Sequence, residues 1–529
     1  MKFFFLFLVT SSIAFAQPGI EWQRTIGGNN VDTFKKAIAL SDGYLLSGQS
    51  LSNASGDKTV NGFGGARHGW IVKIDENGEN IWQNAFGGNG AETNYDAIKT
   101  EDNGFLISNT SYSNISGNKT ENSRGESDYW LVKIDEEGNI EWQKTIGGSG
   151  WEEEVKSIPC SDGGYFVGGS SKSPISGEKT ENFRGPFSIY ADYWVLKLDA
   201  NRNIEWQRTI GGEDDDRFVV VRQTADEGFL IAGNSRSNIG FEKTENSRGN
   251  SWDIWILKLS QLGAIEWQKT IGSDFTDLLN DMLITPENDI LLGGVSGEGI
   301  SGDKTVESNG LSDFWILKLN SIGDIVWQKS IGGADQESLY TLSQTTAGNY
   351  LLGGTSRSSI SGDKTSNSRG LSDYWAVLID TEGNIVGQKT IGGSENEAGT
   401  NVIETLDGGY FVAGSTSSGI SGEKTEASRG DYDYWVLKLE NNSLLFSNPI
   451  LAGIKVYPNP TTESVNISFN KNFTGSIIQT DTLGKEIQQI TISDSKEITF
   501  RLVGSDGIYF LTLLTNSGEK ESIKILKKK

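Results

Sequence analysis

Lysine and arginine recur at fixed positions in a polar segment that appears seven times in the chain. Six copies read Ser-Gly-(Asp/Glu/Asn)-Lys-Thr, and the fourth copy reads Gly-Phe-Glu-Lys-Thr. The seven lysines are Lys58, Lys119, Lys179, Lys243, Lys304, Lys364 and Lys424. In five copies an arginine follows five residues later, and these are Arg124, Arg184, Arg248, Arg369 and Arg429. Such donors suit an anionic or hydroxyl-rich ligand, for example a glycan.

Acidic residues recur at two further positions of the same repeat. One acid stands four residues after a Gly-Gly pair, at Asp32, Glu92, Glu152, Asp216, Asp277, Glu337 and Glu397, although the fifth pair reads Gly272-Ser273. Another acid stands two residues before a tryptophan, at Asp128, Asp192, Asp253, Asp313, Asp373 and Asp433. His68, the single histidine of the chain, takes the seventh position.

Two interpretations of these charges stay open. In the first, the acids and cations pair with each other and with the loop backbone, because loops of this length need internal anchoring. It predicts that Lys119, Lys179 and Lys364 contact acids of the Gly-Gly loops. In the second, a ring of lysine and arginine faces a ligand.

Enzyme chemistry is limited by the scarcity of histidine and cysteine. With one of each, His68 and Cys160, zinc sites built on histidine are excluded and Cys–His catalysis is disfavoured. The lysine loop differs from a nucleotide-binding P-loop, since a residue separates glycine from lysine and a strand follows. We predict no metal and no cofactor. Paired carboxylates acting on glycosides stay possible.

The elements that position these residues repeat every 60 to 64 residues. One strand pattern centres on Trp70, Trp130, Trp194, Trp255, Trp315, Trp375 and Trp435. A second, ending in Trp-Gln, contains Trp22, Trp82, Trp142, Trp206, Trp267 and Trp327, with Gly387 in the seventh tryptophan position. Four short strands per repeat predict an all-β chain with a seven-bladed β-propeller of ~60-residue repeats. Because the array opens on a fourth strand and ends on a third, we predict that the N-terminal strand completes the seventh blade.

Composition and the chain ends indicate the compartment. The net charge of −24 makes nucleic acid an unsuitable partner. Residues 1–16 have the pattern of a cleaved signal peptide, and no stretch predicts a transmembrane segment. We assign 17–440 to the propeller and 441–453 to a linker.

Residues 454–529 contain short alternating strands that predict a small β-sandwich. They carry the motif residues Tyr457, Pro458, Asn459, Pro460, Gly484, Lys485, Gly507 and Tyr509, followed by a basic tail. This pattern resembles the type A C-terminal sorting domain of type IX secretion. The resemblance implies recognition by the outer-membrane type IX translocon, with release into the medium or display on the cell surface.

The sequence therefore predicts a secreted or surface-displayed propeller that is non-enzymatic. It binds a ligand such as an extracellular glycan or surface component, or it acts in adhesion or as a scaffold. The alternative is a secreted carbohydrate-active enzyme that uses carboxylates on the loop-rich face.

Overall fold

The structure is a computed structural model that describes residues 19–64, 67–186, 189–441, 443–444, 454–482, 485–515 and 520–528. The predicted signal peptide lies outside these residues, as does most of the predicted linker. The chain divides into two compact units, with the boundary after Leu444. The described residues fold entirely into strands and loops, and none of them forms a helix that is long and apolar enough to cross a membrane.

The first unit consists of seven four-stranded antiparallel sheets, which confirms the predicted propeller-like repeat. Blade 1 contains β2 (Asp32–Leu40), β3 (Gly43–Ser50), β4 (His68–Asp75) and β5 (Asn80–Phe86), and blade 2 contains β6 (Glu92–Lys99), β7 (Phe105–Ser111), β8 (Asp128–Ile134) and β9 (Ile140–Ile146). Blade 3 contains β10 (Glu152–Pro159), β11 (Tyr165–Ser171), β12 (Asp192–Leu198) and β13 (Ile204–Ile210), and blade 4 contains β14 (Asp216–Gln223), β15 (Phe229–Ser235), β16 (Asp253–Leu259) and β17 (Ile265–Ile271).

The remaining blades follow the same order. Blade 5 contains β18 (Asp277–Ile284), β19 (Ile290–Gly297), β20 (Ser312–Leu319) and β21 (Ile325–Ile331), and blade 6 contains β22 (Glu337–Gln344), β23 (Tyr350–Ser356), β24 (Asp373–Ile379) and β25 (Ile385–Ile391). Blade 7 contains β26 (Glu397–Glu404), β27 (Tyr410–Thr416) and β28 (Asp433–Leu439), and its fourth strand is β1 (Ile20–Ile26).

The two ends of the repeat array meet in blade 7. Strand β1 pairs antiparallel with β28, and Thr25 stands opposite Trp435. The Trp435 indole donates to Gln23 Oε1 at 3.0 Å, which is the bond that Trp and Gln make within every other blade. The N-terminal strand therefore closes the ring, as predicted.

The third-strand tryptophans form the centres of the blade cores. All seven are 0% exposed. Several stack on an aromatic side chain of the adjacent blade, as Trp194 does on Tyr129 with ring centroids 5.4 Å apart. Each buried ring removes a large apolar area from water and locks two blades together.

The fourth-strand tryptophans join neighbouring blades at their outer edges. Trp22 donates to the carbonyl oxygen of Glu76 at 2.9 Å, and its ring packs on Gly78 in the turn between β4 and β5. Gly387 stands in the equivalent position beside blade 7, where the chain leaves β28 after Leu439 and β1 supplies the fourth strand. Leu444 is fully buried in the apolar cluster at this edge. The missing tryptophan is therefore a consequence of ring closure.

The second unit is a five-stranded sheet with its own apolar core. Its strands are β29 (Lys455–Tyr457), β30 (Ser464–Thr480), β31 (Glu486–Arg501), β32 (Gly507–Thr515) and β33 (Lys520–Lys527). The long β30 pairs with β31 on one edge and with β29 and β32 on the other. One buried cluster takes side chains from both ends of this long hairpin, so a single bent sheet provides the two layers.

Candidate functional site

The seven lysines of the repeated loop lie inside the blades. None is more than 2% exposed. Lys119 is typical, because its ammonium group donates to Thr145 Oγ1 at 3.0 Å and to the carbonyl oxygen of Glu121 at 3.1 Å. The same group lies 5.8 Å from the ring centroid of Trp130, within the range of a cation–π contact. The lysine thus fastens the loop onto the third and fourth strands.

The predicted contacts between these lysines and the acids of the Gly-Gly loops are wrong. Lys119, Lys179 and Lys364 donate to threonine hydroxyl groups instead. The carboxyl groups lie farther away in the same dry interior, where burial lowers the pKa of Lys179 and raises that of Asp192, with the charge of Asp216 raising it further. The charge of each of these buried lysines is therefore balanced by carboxyl groups at a distance and not by a direct ion pair.

The acids after the Gly-Gly pairs organise the turns that precede the first strands. Glu152 accepts a hydrogen bond from the Gly148 amide at 2.8 Å and another from Ser171 Oγ at 2.7 Å. Burial raises the pKa of this carboxyl group. Equivalent bonds recur at the other six positions, so these acids act on their own loops.

The Gly272-Ser273 variation is compensated in three dimensions. In blade 1, Ser52 Oγ donates to Asp32 Oδ2 at 2.9 Å, and a Cβ atom on Gly28 would overlap that serine. The chain has Glu298 at the position that corresponds to Ser52 in blade 5, and Ser273 Oγ takes over the bond, donating to Asp277 Oδ2 at 2.8 Å. The acid thus accepts a serine hydroxyl group in both blades, from the loop after the second strand in blade 1 and from the Gly-Gly turn in blade 5.

Arginines of the repeated loop connect each blade to the next. Arg184 Nη2 lies 2.9 Å from Glu242 Oε1, and Glu242 is the acid of the next Ser-Gly-X-Lys-Thr segment. The other four pairs join Arg124 to Glu178, Arg248 to Asp303, Arg369 to Glu423 and Arg429 to Asp57. The pair between Arg429 and Asp57 spans the closure of the ring. We call these contacts the inter-blade latches.

Two positions without arginine show that the latch partners change together. Asn309 stands in one arginine position, and its amide donates to Asp363 Oδ2 at 2.8 Å. Phe63 stands in the other, and there the partner acid is replaced by the neutral Asn118, which accepts from the Gly87 amide at 2.9 Å. An acid is retained where a donor faces it, as a structural latch requires.

His68 belongs to this internal network. It is 2% exposed, and the Lys58 ammonium group lies 2.5 Å from its Nε2 atom. Because the lysine is the donor, Nε2 is the acceptor in that bond. A ligand role for the twelve predicted cations stays a prediction, but the structure places the lysines away from solvent and the arginines against acids.

A second set of residues on the loop face occurs once and does not follow the repeat. The loop face is the face that carries the loops between the second and third strands and those after the fourth strands. Trp151 and Trp252, the two tryptophans outside the repeated positions, directly precede β10 and β16 on this face. Trp151 is 42% exposed, in contrast to the buried third-strand tryptophans.

Charged side chains link Trp151 to the start of blade 4. The Lys172 ammonium group lies 5.8 Å from the Trp151 ring centroid and 3.6 Å from Glu153 Oε2. Glu153 also pairs with Arg217 at 3.2 Å, and Arg217 pairs with Asp215 at 3.0 Å.

The connection continues to the second tryptophan. The Arg236 amide donates to the carbonyl oxygen of Asp215 at 3.0 Å, and the Arg236 guanidinium lies 5.6 Å from the Trp252 ring centroid. Tyr112, which is 37% exposed, donates to Glu153 at 3.4 Å. We call this group the Trp151–Trp252 patch; it comprises Tyr112, Trp151, Glu153, Lys172, Asp215, Arg217, Arg236 and Trp252.

Our sequence analysis missed this patch. A usable signal was present, because 13 of the 15 tryptophans occupy repeated positions and these two do not. Their proximity to the charged residues depends on the pairing of blades 2 to 4 and is not visible in a linear motif.

The predicted sorting-motif residues hold the ends of the second unit together. The Asn459 amide donates to the carbonyl oxygen of Lys524 at 2.8 Å, and Asn459 Oδ1 accepts from the Leu526 amide at 3.0 Å. Tyr509 is buried and donates to the carbonyl oxygen of Ser505 at 2.8 Å. Gly484 lies outside the described residues.

The chain is similar to several known proteins. Regulatory protein FlaEY of Caulobacter vibrioides is 23% identical over 207 residues, which are 38% of this chain and 21% of that protein. The chain thus spans about a fifth of the length of this relative.

Three solved structures that are similar to this chain have low sequence identity to it. A Dyadobacter fermentans protein of unknown function has a TM-score of 0.39 at 12% identity, covering 66% of this chain and 94% of its own. Puromycin hydrolase has a TM-score of 0.43 at 10% identity, with 85% and 61% covered. The Neurospora crassa Pan2 WD40 domain has a TM-score of 0.40 at 8% identity, with 80% and 97% covered.

The C-terminal unit gives the specific match. Residues 455–528 match the secretion system C-terminal sorting domain, as the sequence motifs predicted. A type IX sorting tail of this kind implies that the chain is secreted and that it associates with the secretion machinery.

Proposed function

We propose that this exported propeller is a non-enzymatic carbohydrate-binding protein, and that the Trp151–Trp252 patch contacts the ligand. The observation that carries the proposal is the position of the two unrepeated tryptophans, both on the loop face and linked by charged side chains and one backbone hydrogen bond between Arg236 and Asp215. Most of the repeated polar residues already have internal hydrogen-bond partners, and the Lys243 ammonium group lies 4.7 Å from the Trp255 ring centroid, so these residues account for the stability of the ring.

The chemistry of the patch suits a sugar. An exposed indole ring offers a flat apolar surface on which the C–H face of a pyranose packs. Glu153 and Asp215 accept hydrogen bonds from hydroxyl groups, while Lys172 and Arg217 donate to them. Aromatic surfaces with a few fixed polar groups are typical of small-ligand sites.

The ion pairs of the patch keep its polar groups in place before a ligand arrives. Arg217 is held between Glu153 and Asp215, at 3.2 and 3.0 Å. Such preorganisation lowers the entropy lost on binding. The surface location also suits an exported protein, whose partners include extracellular glycans.

A glycan-array screen of the full chain tests the proposal, with Trp151→Ala as the variant. We expect the affinity for the bound glycan to fall about tenfold or more, as for a central aromatic contact. Phe241→Ala is the matched control, since Phe241 is an exposed aromatic residue, 63% accessible, that is not a member of the patch. Equal loss of affinity in both variants, or no glycan bound at all, would contradict the proposal.

A second candidate function is glycoside cleavage, and Glu154 is the residue that favours it. Its φ is 58°, a conformation that blade 7 achieves with Gly399 at 69°. A side chain in this left-handed region costs on the order of 1 kcal/mol and is common at functional sites. Burial raises the pKa of Glu154, and Ser170 Oγ donates to its Oε2 atom at 2.5 Å.

Glu154 would act as the general acid, and Glu153 or Asp215 would act as the second carboxyl group. Release of reducing sugar from the array-positive glycan, abolished by Glu154→Gln, would establish this function in place of simple binding. Binding without release supports the non-enzymatic proposal.

A further inference from the structure

The first strands of the blades enclose a cavity at the centre of the ring. It has a volume of about 290 Å³, and strands of six blades contribute to its wall. Its charged lining residues are Lys35, Lys36, Asp96, Lys156, Arg222 and Asp281. This volume lies near the lower limit of small-molecule sites, and a small ligand therefore suits it.

The lining carries an excess of positive charge in a protein whose net charge is −24. Four cations face two carboxylates, so the cavity has two more positive than negative side chains. Inside a ring of protein these charges interact more strongly than at an open surface, because less water screens them. An acidic protein that concentrates positive charge at its centre favours the entry of an anion there.

The existing ion pairs leave part of that charge unbalanced. Asp96 is shared by Lys36 at 3.5 Å and Lys156 at 3.6 Å, and one carboxylate thus serves two ammonium groups. Burial alone would raise the pKa of Asp96, but Lys156, Lys36 and Arg222 lower it to about 2. Asp96 therefore stays ionised. Its single negative charge neutralises only one of the two ammonium groups of Lys36 and Lys156.

Lys35 supplies the second unbalanced charge. Lys35 is the extra residue of the bulge in β2, between Phe34 and Lys36. Its side chain is exposed and lies outside the blade core. Among the residues that the structure describes, no carboxylate pairs with its ammonium group. The surrounding protein and then the like charges of Lys156 and Arg67 lower its pKa, as expected for a cation without an anion.

The other charged pair leaves a guanidinium group available at the wall. Arg222 Nη2 lies 2.9 Å from Asp281 Oδ1, and its side chain is 34% exposed. A guanidinium group has further N–H donors beyond those used in one pair, so it can bind a second carboxylate or a phosphate.

The charged positions of this cavity are not part of the repeat. Blade 7 has Thr400 and Asn401 at the corresponding bulge, and blade 6 has Tyr340 and Thr341. Tyr340 also lines a second cavity, of about 320 Å³, on the loop face beside Arg357 and Tyr432. Tyr340 thus lines both the central cavity and a cavity on the face where the loops lie.

We propose that the central cavity binds a small anion with two or more negative charges, carried by carboxylate or phosphate groups. Lys35 and Lys156 would each contact one charged group, and Arg222 would donate to an adjacent oxygen. This site is separate from the Trp151–Trp252 patch, and it needs no glycan on the patch for its occupancy.

Isothermal titration of the full chain tests the site with three probes, citrate, inorganic phosphate and glucuronate, each at constant ionic strength with chloride as the reference anion. We expect citrate or phosphate to bind with one-to-one stoichiometry, and the stronger of the two identifies the charged group. Glucuronate, with a single charge, is expected to bind at least fivefold more weakly. Equal binding of glucuronate would contradict the requirement for two charges.

The variants Lys35→Gln and Lys156→Gln locate the site. Each should weaken binding at least fivefold, while Lys144→Gln, which removes the same charge from the outer strand β9, should leave it unchanged. The melting temperature of each unliganded variant is measured first, and Lys35→Gln is the decisive variant because its side chain supports no packing. Absence of binding, or equal loss in all three variants, would overturn the proposal.

Discussion

The repeated latches and the Trp151–Trp252 patch lie on the same face of one ring but solve different problems. Arg184 meets Glu242 of the next blade, and four further blades repeat an arginine–carboxylate contact at this position. Trp151 and Trp252, in contrast, each occur once. A contact that recurs at the same position in most blades meets a need of the ring as a whole, and that need is packing.

The comparison separates two kinds of polar residue that look alike in sequence. The lysine of the repeated loop is buried against tryptophan, as Lys179 is against Trp194 at 5.1 Å. Lys172, seven residues earlier, lies beside the exposed Trp151 at 5.8 Å. Both are cations near an indole ring, yet the first stabilises a fold and the second is accessible to a ligand.

Removal of the strand that closes the ring should have the largest effect. Deletion of residues 17–28 removes β1 and exposes the edge of β28, where Trp435 loses its bond to Gln23. We expect blade 7 to unfold and the melting temperature, measured by circular dichroism, to fall sharply. Deletion of residues 17–18 alone is the control, and a melting curve unchanged by the longer deletion would contradict the closed ring.

Truncation of a buried lysine should have the next largest effect. Lys119→Ala leaves Thr145 and Glu121 without their donor and leaves buried carboxyl groups without a nearby cation. We expect the free energy of unfolding to fall by about 3–5 kcal/mol, as when one partner of a buried charge network is lost. Urea unfolding measures it. Lys144→Ala, at a half-buried position of the outer strand β9, should change the value far less.

The buried carboxyl groups make stability depend on pH. Burial raises the pKa of Asp253 to about 7, and burial also raises that of Glu397 to about 7. Between pH 4 and 7 the folded state therefore holds protons that the unfolded state releases. The unfolding free energy should be largest near the lower end of this range and fall, on the order of a few kcal/mol, by pH 8.

Urea unfolding at pH 5 and pH 8 checks this sign. Asp96 and Asp226, with pKa values lowered to about 2, affect stability only in more acidic solution. The variant Asp253→Asn should show a smaller decrease between the two pH values than the wild type. A protein that is more stable at pH 8 would contradict the assignment.

A rebuilt latch should have the smallest effect. Phe63→Arg with Asn118→Glu installs the arginine–acid pair in the one blade junction that lacks a polar donor. A double-mutant cycle should give a favourable coupling of about 1 kcal/mol, because the pair is partly exposed. Asn118→Glu alone should be destabilising. A coupling near zero would mean that the latches contribute little to stability.

The fold was largely predictable from the sequence because the tryptophan positions report periodicity directly. Trp70 and its equivalents fixed the number of blades, and the phase of Trp22 relative to Trp435 indicated ring closure. The reason for Gly387 in the seventh tryptophan position is visible only once β28 is known to lack a fourth strand that follows it in sequence.

The candidate sites were less predictable because they depend on distances between blades. Nothing in the spacing of Glu153 and Arg217 shows that their side chains meet, since this pair crosses from blade 3 to blade 4. The buried lysines were misjudged for the opposite reason. A lysine is usually exposed, and its burial here depends on the tryptophan and threonine that receive it.

The measurement that tests the account most directly compares the two kinds of residue in one binding assay. The full chain, Trp151→Ala, Arg217→Gln and the latch variant Arg369→Gln are titrated with the glycan that the array identifies, and their melting temperatures are recorded. We predict that the two patch variants lose affinity at unchanged stability, while Arg369→Gln keeps its affinity and melts at a lower temperature. Loss of affinity in Arg369→Gln with binding retained in both patch variants would contradict the central claim.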